Sequence, residues 1–204
     1  MVVVVILGQH QCKVIHICQR TLHFGQNLKD VRRRNQNLLF YSTLSFKIQI
    51  MFVASCPLRI ALFGGSTDNP YFVEKYGRGC VINFTSNLKT YITLHEDKLG
   101  FNREGRKYIV NYSRREEVDT IDEIQNEIIR NPLKHFNCPP LSITMKSDAY
   151  SQGSGLASSS AYTIALIKAI TMFNGSRPLT NVEICELSYK LELKSNMYAG
   201  YQDP

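Results

Sequence analysis

The sequence predicts an α+β fold, because strand-like segments fill the middle of the chain and helix-like segments follow them without regular alternation. Period-two patterns of β-branched and polar residues mark the strands, and two capping boxes mark the starts of helices. The chain has 204 residues, of which 44% are hydrophobic, and this composition suits a domain that buries a core.

Five segments after Met51 alternate apolar and polar residues in the manner of strands. We expect them at residues 58–63, 80–85, 90–95 and 107–112, and from Leu141 onward. A loop is expected between the first strand and Pro70, because residues 64–70, "GGSTDNP", are a run of turn-forming residue types. These strands form the sheet of the predicted fold.

Three helices are expected among and after the strands. The first covers residues 121–130, where Thr120 and Glu123 have capping-box spacing. The second covers residues 158–173, directly after a loop rich in glycine and serine. The third begins at residue 181 and extends to about residue 194, behind the capping box of Thr180 and Glu183.

Residues 1–50 differ from the rest of the chain in pattern and in charge. They show no sustained period and hold seven Lys or Arg residues against one acid, whereas residues 51–204 hold seventeen against sixteen. We therefore treat residues 1–50 as a separate basic extension, disordered or belonging to a mis-assigned start, and residues 51–204 as the domain. The leading explanation is that the start site has been placed too far upstream and that translation begins at Met51. A basic or targeting arm and a structured extension are the alternatives that remain open.

The composition also excludes some classes of protein. The longest apolar run, "VVVVIL", is far shorter than the roughly 20 residues that cross a bilayer, so no membrane partner is expected. Six cysteines without a CxxC pair indicate reduced thiols in a cytoplasmic protein. The basic excess lies in the extension, so nucleic acid is not the expected partner, although Arg32, Arg33 and Arg34 leave nucleic-acid binding by that segment open.

The loop before the second helix, "SQGSGLASSSAYTIALIKAI", permits two interpretations. The first N–H groups of a helix lack partners and carry partial positive charge, so a flexible loop there can hold phosphate oxygens. Gly153 and Gly155 allow close approach of the backbone, and three serines can cap the helix or bind phosphate or magnesium. A capped helix start without any ligand is equally consistent with these residues. The loop is neither a P-loop nor a dinucleotide fingerprint.

Three segments in order resemble the signatures of the GHMP kinases, the superfamily named for galactokinase, homoserine kinase, mevalonate kinase and phosphomevalonate kinase. "GSGLASSSA" resembles the second signature, "PLRIALFGGSTDNP" the first, and "LELKSNMYAGYQDP" the stretch that carries a glutamate and then the catalytic aspartate. The residues of the first and third segments are most similar to those of sugar kinases that act on an anomeric hydroxyl, namely D-glycero-D-manno-heptose 7-phosphate kinases and L-fucokinases. Gly65 and Ser66 stand where galactokinases carry Glu-His, which argues against galactose.

The resemblance implies a GHMP kinase N-terminal domain, similar to domain 2 of ribosomal protein S5, and an ATP-dependent sugar kinase that uses Mg²⁺. It covers residues 51–204, which correspond to the first half of a family member. We therefore expect the C-terminal domain to be missing and the chain to be a fragment with absent or weak activity of its own. A catalytically inactive, nucleotide-binding remnant is the alternative, and the oligomeric state is left open.

The resemblance also implies roles for individual residues. The residues matching the phosphate loop are Gly153, Ser154, Gly155, Leu156, Ala157, Ser158 and Ser159. Ser159 and Glu192 match the pair that binds magnesium, Asp203 matches the aspartate beside the acceptor hydroxyl, and Arg59 matches a basic residue near that aspartate. The residues matching the sugar site are Asp68, which binds sugar hydroxyls, and Gly64, Gly65, Ser66 and Thr67, which form the pocket floor. Taken singly, Arg59 and Glu192 could instead be solvent-exposed residues.

Overall fold

The computed structural model describes residues 51–96, 107–150, 155–202 and 204, together with the backbone of residues 2–7 and 13–19. Within these ranges the strands form one sheet of seven, in the order β1-β2-β3-β4-β7-β5-β6. The strands are β1 Val2–Leu7, β2 Lys13–Gln19, β3 Met51–Phe63, β4 Ile82–His95, β5 Tyr108–Asn111, β6 Arg115–Val118 and β7 Ser142–Ser147. Neighbouring strands are antiparallel except β5 and β7, which are parallel.

Four α-helices accompany the sheet in the described part of the chain. They are α1 Pro70–Tyr76, α2 Glu127–Phe136, α3 Ser158–Phe173 and α4 Asn181–Glu192. A short 3-10 turn, Ile121–Glu123, precedes α2. Among the described residues, none of these helices combines the length and the apolar character needed to cross a membrane. The mixture of a sheet and separately placed helices confirms the predicted α+β class.

The core lies between one face of the sheet and helix α3. Alternate residues of β3, including Phe52, Ala54 and Leu58, point into this core, as the period-two pattern predicts. Helix α3 packs against β3 and β4 on one side and against α2 and α4 on the others. It is therefore buried around most of its circumference, and its first turn is fixed relative to both the sheet and α4.

Strand β4 is longer than predicted because it joins two predicted strands into one. The sequence "SNLK" between residues 85 and 90 has the composition of a turn, yet the strand continues through it. Pro57 pairs with Lys89 and Arg59 with Thr85, so three residues of β4 lie opposite Leu58 alone. The turn-like residues are accommodated as a bulge in a long antiparallel pair.

The predicted helix at residues 121–130 is wrong in its start. Only a 3-10 turn forms behind Thr120, whose hydroxyl donates to Glu123 Oε1 at 3.0 Å instead of accepting a backbone N–H. Helix α2 begins at Glu127, because the side chain of Asn126 accepts the N–H of Ile128 at 3.1 Å. An asparagine cap therefore replaces the predicted capping box.

The other two predicted helices are confirmed. Helix α3 covers Ser158–Phe173, as expected, and α4 begins at Asn181 and ends at Glu192, two residues earlier than predicted. The capping box of α4 is formed: Glu183 N–H donates to Thr180 Oγ1 at 3.2 Å, and Thr180 N–H donates to Glu183 Oε2 at 2.8 Å. This local signal therefore predicted the start of the helix correctly.

Strands β1, β2 and β6 and helix α1 were not predicted from the sequence. Strand β2 pairs antiparallel with the first part of β3, with His16 opposite Phe52, so the two extension strands continue the same sheet. Helix α1 begins at Pro70, behind Asn69, whose side chain accepts the N–H of Tyr71 at 2.9 Å. The rest of the extension, residues 8–12 and 20–50, lies outside the described residues.

Candidate functional site

The loop that leads into α3 is attached to the sheet. Gly155 has a φ of +68° and Ala157 a φ of +51°, so the chain turns twice through the left-handed region before α3 begins. Between them, the carbonyl of Leu156 accepts the backbone N–H of Arg59 at 3.2 Å. The loop residues Gly153 and Ser154 lie outside the described residues. The start of α3 is thus fixed beside the strand that carries Arg59.

Two serines in the first turn of α3 bind the same carboxylate. Ser159 Oγ donates to Glu192 Oε1 and Ser160 Oγ donates to Glu192 Oε2, each at 2.5 Å. Glu192 is the last residue of α4, so the C-terminus of one helix meets the N-terminus of the other. Hydrogen bonds to an ionised acceptor are stronger than neutral ones, and negative charge is favoured at a helix N-terminus.

The structure therefore brings together the two residues that the resemblance assigns to magnesium. Ser159 and Glu192 offer a hydroxyl and a carboxylate oxygen, which are the hard oxygen ligands that Mg²⁺ prefers. A divalent cation between them could take further oxygens from phosphate and water. The donor set fits the ion.

The loop of the first motif has one position, residue 64, where only glycine fits without strain. Gly64 has a φ of +79°, and a Cβ there would lie 1.9 Å from the carbonyl oxygen of Cys80. Thr67 Oγ1 lies 2.7 Å from Gly64 O and 2.9 Å from Cys80 O, and it accepts the N–H of Cys80 at 3.1 Å. Gly64 and Thr67 therefore shape the loop, whereas Gly65 and Ser66 are exposed at its tip.

Asp68 joins the first motif to the third. Its Oδ2 accepts the backbone N–H of Gln202 at 2.6 Å, and its Oδ1 accepts the side-chain amide of Gln202 at 3.2 Å. A Cβ on Gly200 would lie 2.5 Å from Oδ2, so a larger residue there would have to displace the Asp68 carboxylate. Asp68, assigned to the sugar by the resemblance, thus holds the residue that precedes Asp203. Asp203 itself lies outside the described residues.

A cavity of about 230 Å³ lies where these segments meet. Its lining includes Arg59 from β3, Ala157 from the loop, and Gln202 and Pro204, the residues on either side of Asp203. Arg59 and the segment that contains Asp203 therefore face the same space, as the resemblance requires. A second cavity, of about 190 Å³, lies on the other side of α3 and is lined in part by Ser159, Thr163 and Glu192.

Aromatic residues pack the third motif against α4. The rings of Tyr189 and Tyr201 stack with their centroids 4.7 Å apart. Burial, together with the neighbouring Tyr201 and Asp68, raises the pKa of Tyr189 to about 12. The Tyr189 hydroxyl therefore remains neutral at physiological pH, and it contributes packing beside Asp68 without adding charge.

Sequence reasoning gave Ser160 only the general role shared by the three serines, and it gave Gln202 no role. Ser160 belongs to the run of three serines, which indicated that hydroxyls are wanted there but not which carboxylate they bind. Gln202 adjoins Asp203, and its contact with Asp68 joins residues 134 positions apart. Such a contact leaves no local signal in the sequence.

Comparison with known proteins supports the resemblance. The family model described as "GHMP kinases N terminal domain" matches residues 121–204. The chain is 33% identical over 159 residues to D-glycero-alpha-D-manno-heptose 7-phosphate kinase of Campylobacter jejuni subsp. jejuni serotype O:2. That alignment covers 72% of this chain and 45% of the relative, so the chain spans about half the length of the curated protein it matches.

Solved structures agree on the fold. A proposed sugar kinase from Campylobacter jejuni superposes with a TM-score of 0.55 and 29% identity, covering 75% of this chain and 48% of that one. Mevalonate kinase of Methanococcus jannaschii superposes with a TM-score of 0.56 and 24% identity, covering 74% and 49%, and this likeness shows the fold alone. The chain thus carries an N-terminal domain of the GHMP kinase type.

Proposed function

We propose that this domain serves an ATP-dependent kinase that phosphorylates the anomeric hydroxyl of a sugar or sugar phosphate, with a heptose 7-phosphate as the preferred class. The observation that carries the proposal is the contact of Ser159 with Glu192 at the start of α3. Support for the sugar class comes from the first and third motifs and from the name of the curated relative.

The phosphates of ATP would bind at the N-terminus of α3. Phosphoryl transfer needs positioning and charge stabilisation more than covalent chemistry from the protein. In this proposal the loop residues Gly153 to Ser159 supply backbone N–H groups and hydroxyls, and the partial positive charge of the helix start favours the anionic phosphates. The attachment of Leu156 to Arg59 keeps the loop in place beside the acceptor site.

Ser159 and Glu192 would hold Mg²⁺ in this scheme. When bound, the ion neutralises negative charge on the transferred phosphoryl group. Glu192 can serve as a ligand without rebuilding the helices, because it already lies against the first turn of α3. In this proposal the two residues provide the cation site beside the phosphate loop.

The acceptor hydroxyl would lie near Asp203 and Arg59. We assign Asp203 to accepting or orienting the proton of that hydroxyl, and Arg59 to stabilising the charge of Asp203 and of the phosphoryl group. Asp68 holds Gln202 and so fixes the chain one residue before Asp203. A carboxylate has further lone pairs, so Asp68 can also accept a sugar hydroxyl, beside the exposed Gly65 and Ser66.

The test is an assay of the 204-residue chain, in parallel with the longest protein that its gene is found to encode, using Mg²⁺, ATP and a panel of acceptors. The panel includes a heptose 7-phosphate, fucose, galactose, mevalonate and homoserine, and the product is identified by phosphorus NMR. We expect a sugar 1-phosphate from a heptose phosphate or a related sugar. If mevalonate or homoserine is phosphorylated and no sugar in the panel is, the sugar assignment is contradicted.

A second candidate is a nucleotide-binding domain without turnover. The pairing of both Asp68 oxygens with Gln202 favours it, because each oxygen already accepts one hydrogen bond from the protein and has less acceptor capacity left for a sugar hydroxyl. In that case the chain binds ATP and Mg²⁺, but no acceptor in the panel is phosphorylated by either form of the protein. Turnover of an acceptor by either form rejects this candidate.

A further inference from the structure

Ser160 is a buried polar residue that contributes to the site without lining either cavity described above. The residue is 1% exposed, and its hydroxyl donates to Glu192 Oε2 at 2.5 Å. Two other buried hydroxyls of α3 behave differently. Thr163 and Thr171 donate to the carbonyls of Ser159 and Ile167, one turn earlier on their own helix. Ser160 instead reaches across to another helix.

A glutamate held at one oxygen retains freedom of rotation about its last side-chain bond, because that torsion has broad minima. Holding the second oxygen removes this freedom. Ser160 binds Oε2, and the remaining oxygen, Oε1, is then directed at Ser159. The orientation of the carboxylate thus depends on both serines.

We propose that Ser160 is a positioning residue for a divalent cation, holding Glu192 so that Oε1 stays directed at Ser159. The inference rests on the proposed function, because it assumes that Ser159 and Glu192 share the ion that accompanies the nucleotide. The bond from Ser160 to Oε2 does not compete with that ion, so it persists when the ion binds to Oε1. The carboxylate is therefore oriented before the cation arrives.

Residues that orient metal ligands typically change metal affinity by roughly 10-fold to 100-fold when they are replaced. Ser160→Ala should therefore weaken the binding of the cation by about 10-fold. It should change the affinity for ATP without cation by less than about twofold, because Ser160 touches the carboxylate and not the phosphates in this scheme. A general loosening of the helix start would instead weaken both.

The experiment uses the 204-residue chain with Mn²⁺ as the probe, and free Mn²⁺ is measured by electron paramagnetic resonance with and without ATP. The control is Ser188→Ala, because Ser188 Oγ is buried in α4 and has no hydrogen-bond partner among the described residues. Ser160→Cys is the second variant, since it keeps nearly the same volume but is a weak donor. Thermal unfolding of each variant checks that the fold is retained.

The expected result is about 10-fold weaker Mn²⁺ binding for Ser160→Ala and Ser160→Cys, with Ser188→Ala like the unmodified chain. In a Glu192→Gln background, Ser160→Ala should add no further loss, because its effect acts through the carboxylate. Unchanged Mn²⁺ affinity in both Ser160 variants, with Ser159→Ala weakened, overturns the role of Ser160 and leaves the proposed function intact. Failure of the unmodified chain to bind Mn²⁺ and ATP contradicts the proposed function itself.

Discussion

Gly64 shows how one residue sets the loop of the first motif. Its φ of +79° lies in the left-handed region, and the carbonyl oxygen of Cys80 occupies the place where a Cβ would be. The next residue, Gly65, has neither constraint, because a Cβ there would meet no atom of the described residues within 4 Å. Of these two adjacent glycines, only Gly64 occupies a position where a side chain would be strained.

Gly64→Ala should lower the free energy of unfolding by about 2 kcal/mol or more, since it combines backbone strain with a contact to Cys80 that is too close. Gly65→Ala is the matched control and should change stability by less than about 0.5 kcal/mol. Urea denaturation of the two variants and the unmodified chain gives the comparison. Equal stabilities for the two variants would show that the Gly64 turn is not constrained as described.

The resemblance assigned both glycines to the pocket floor, but the sequence did not show that only Gly64 is conformationally constrained. The difference depends on Cys80, which is sixteen residues away in the sequence and whose backbone is held beside Gly64 by hydrogen bonds with Thr67. Ser160 is similar, because its role depends on Glu192, thirty-two residues later. Residue types and spacing therefore indicated the chemistry, while individual roles required the tertiary contacts.

Among the elements, α4 illustrates a boundary that local sequence determines. The side chain of Arg177 and then the N–H and hydroxyl of Thr180 hold the pKa of Glu183 at about 2, below its ordinary value of 4.5. A carboxyl whose pKa is lowered in the folded state stabilises the fold above its unfolded pKa. That stabilisation is lost as the pH falls from about 4.5 to about 2.

Glu183→Gln should therefore reduce the melting temperature at pH 7 and flatten its decline between about pH 4.5 and pH 2. The control is Glu186→Gln, which removes an exposed acid from the same helix and should leave this part of the profile unchanged. Thermal unfolding across the pH range measures both. If Glu183→Gln retains the full acid-dependent decline, the carboxylate is not the group responsible.

Strand β4 and helix α2 mark where prediction from local signals fails. The start of α4 needs only residues within one turn, so the capping box sufficed. The continuity of β4 depends on β3, whose long pairing continues past a turn-like segment as a bulge. For α2, Thr120 and Glu123 bond to each other and Asn126 supplies the cap, a choice that spacing alone did not distinguish.

In the molecule as a whole, three contacts bring distant motifs together around α3, two of them at the cavity beside Arg59 and the third at the second cavity. Arg59 binds Leu156, Asp68 binds Gln202, and Ser159 binds Glu192. The order of the motifs in the sequence predicted which segments should meet. It did not predict that Asp68 would hold Gln202, because that contact depends on the close approach at Gly200.

Binding of nucleotide and cation at this junction should stabilise the whole fold, because the ligand would contact α3 and α4 together. A ligand that binds only the folded state adds about 2.7 kcal/mol of stability at one hundred times its dissociation constant. Mg²⁺ with ATP should therefore raise the melting temperature of the unmodified chain more than ATP alone does. Differential scanning calorimetry with ADP and AMP in place of ATP shows whether the gain depends on the terminal phosphates; an equal gain with AMP would argue against a phosphate site at α3.

The most direct measurement is isothermal titration calorimetry of the 204-residue chain with ATP in the presence of Mg²⁺, compared with Ser159→Ala and with the control Ser188→Ala. The unmodified chain and Ser188→Ala should bind with the same affinity, and Ser159→Ala should bind about tenfold more weakly or worse, because it loses a charge-assisted contact to the ligand. Equal affinities for Ser159→Ala and the unmodified chain, or no binding by either, would contradict a nucleotide and cation site at the start of α3.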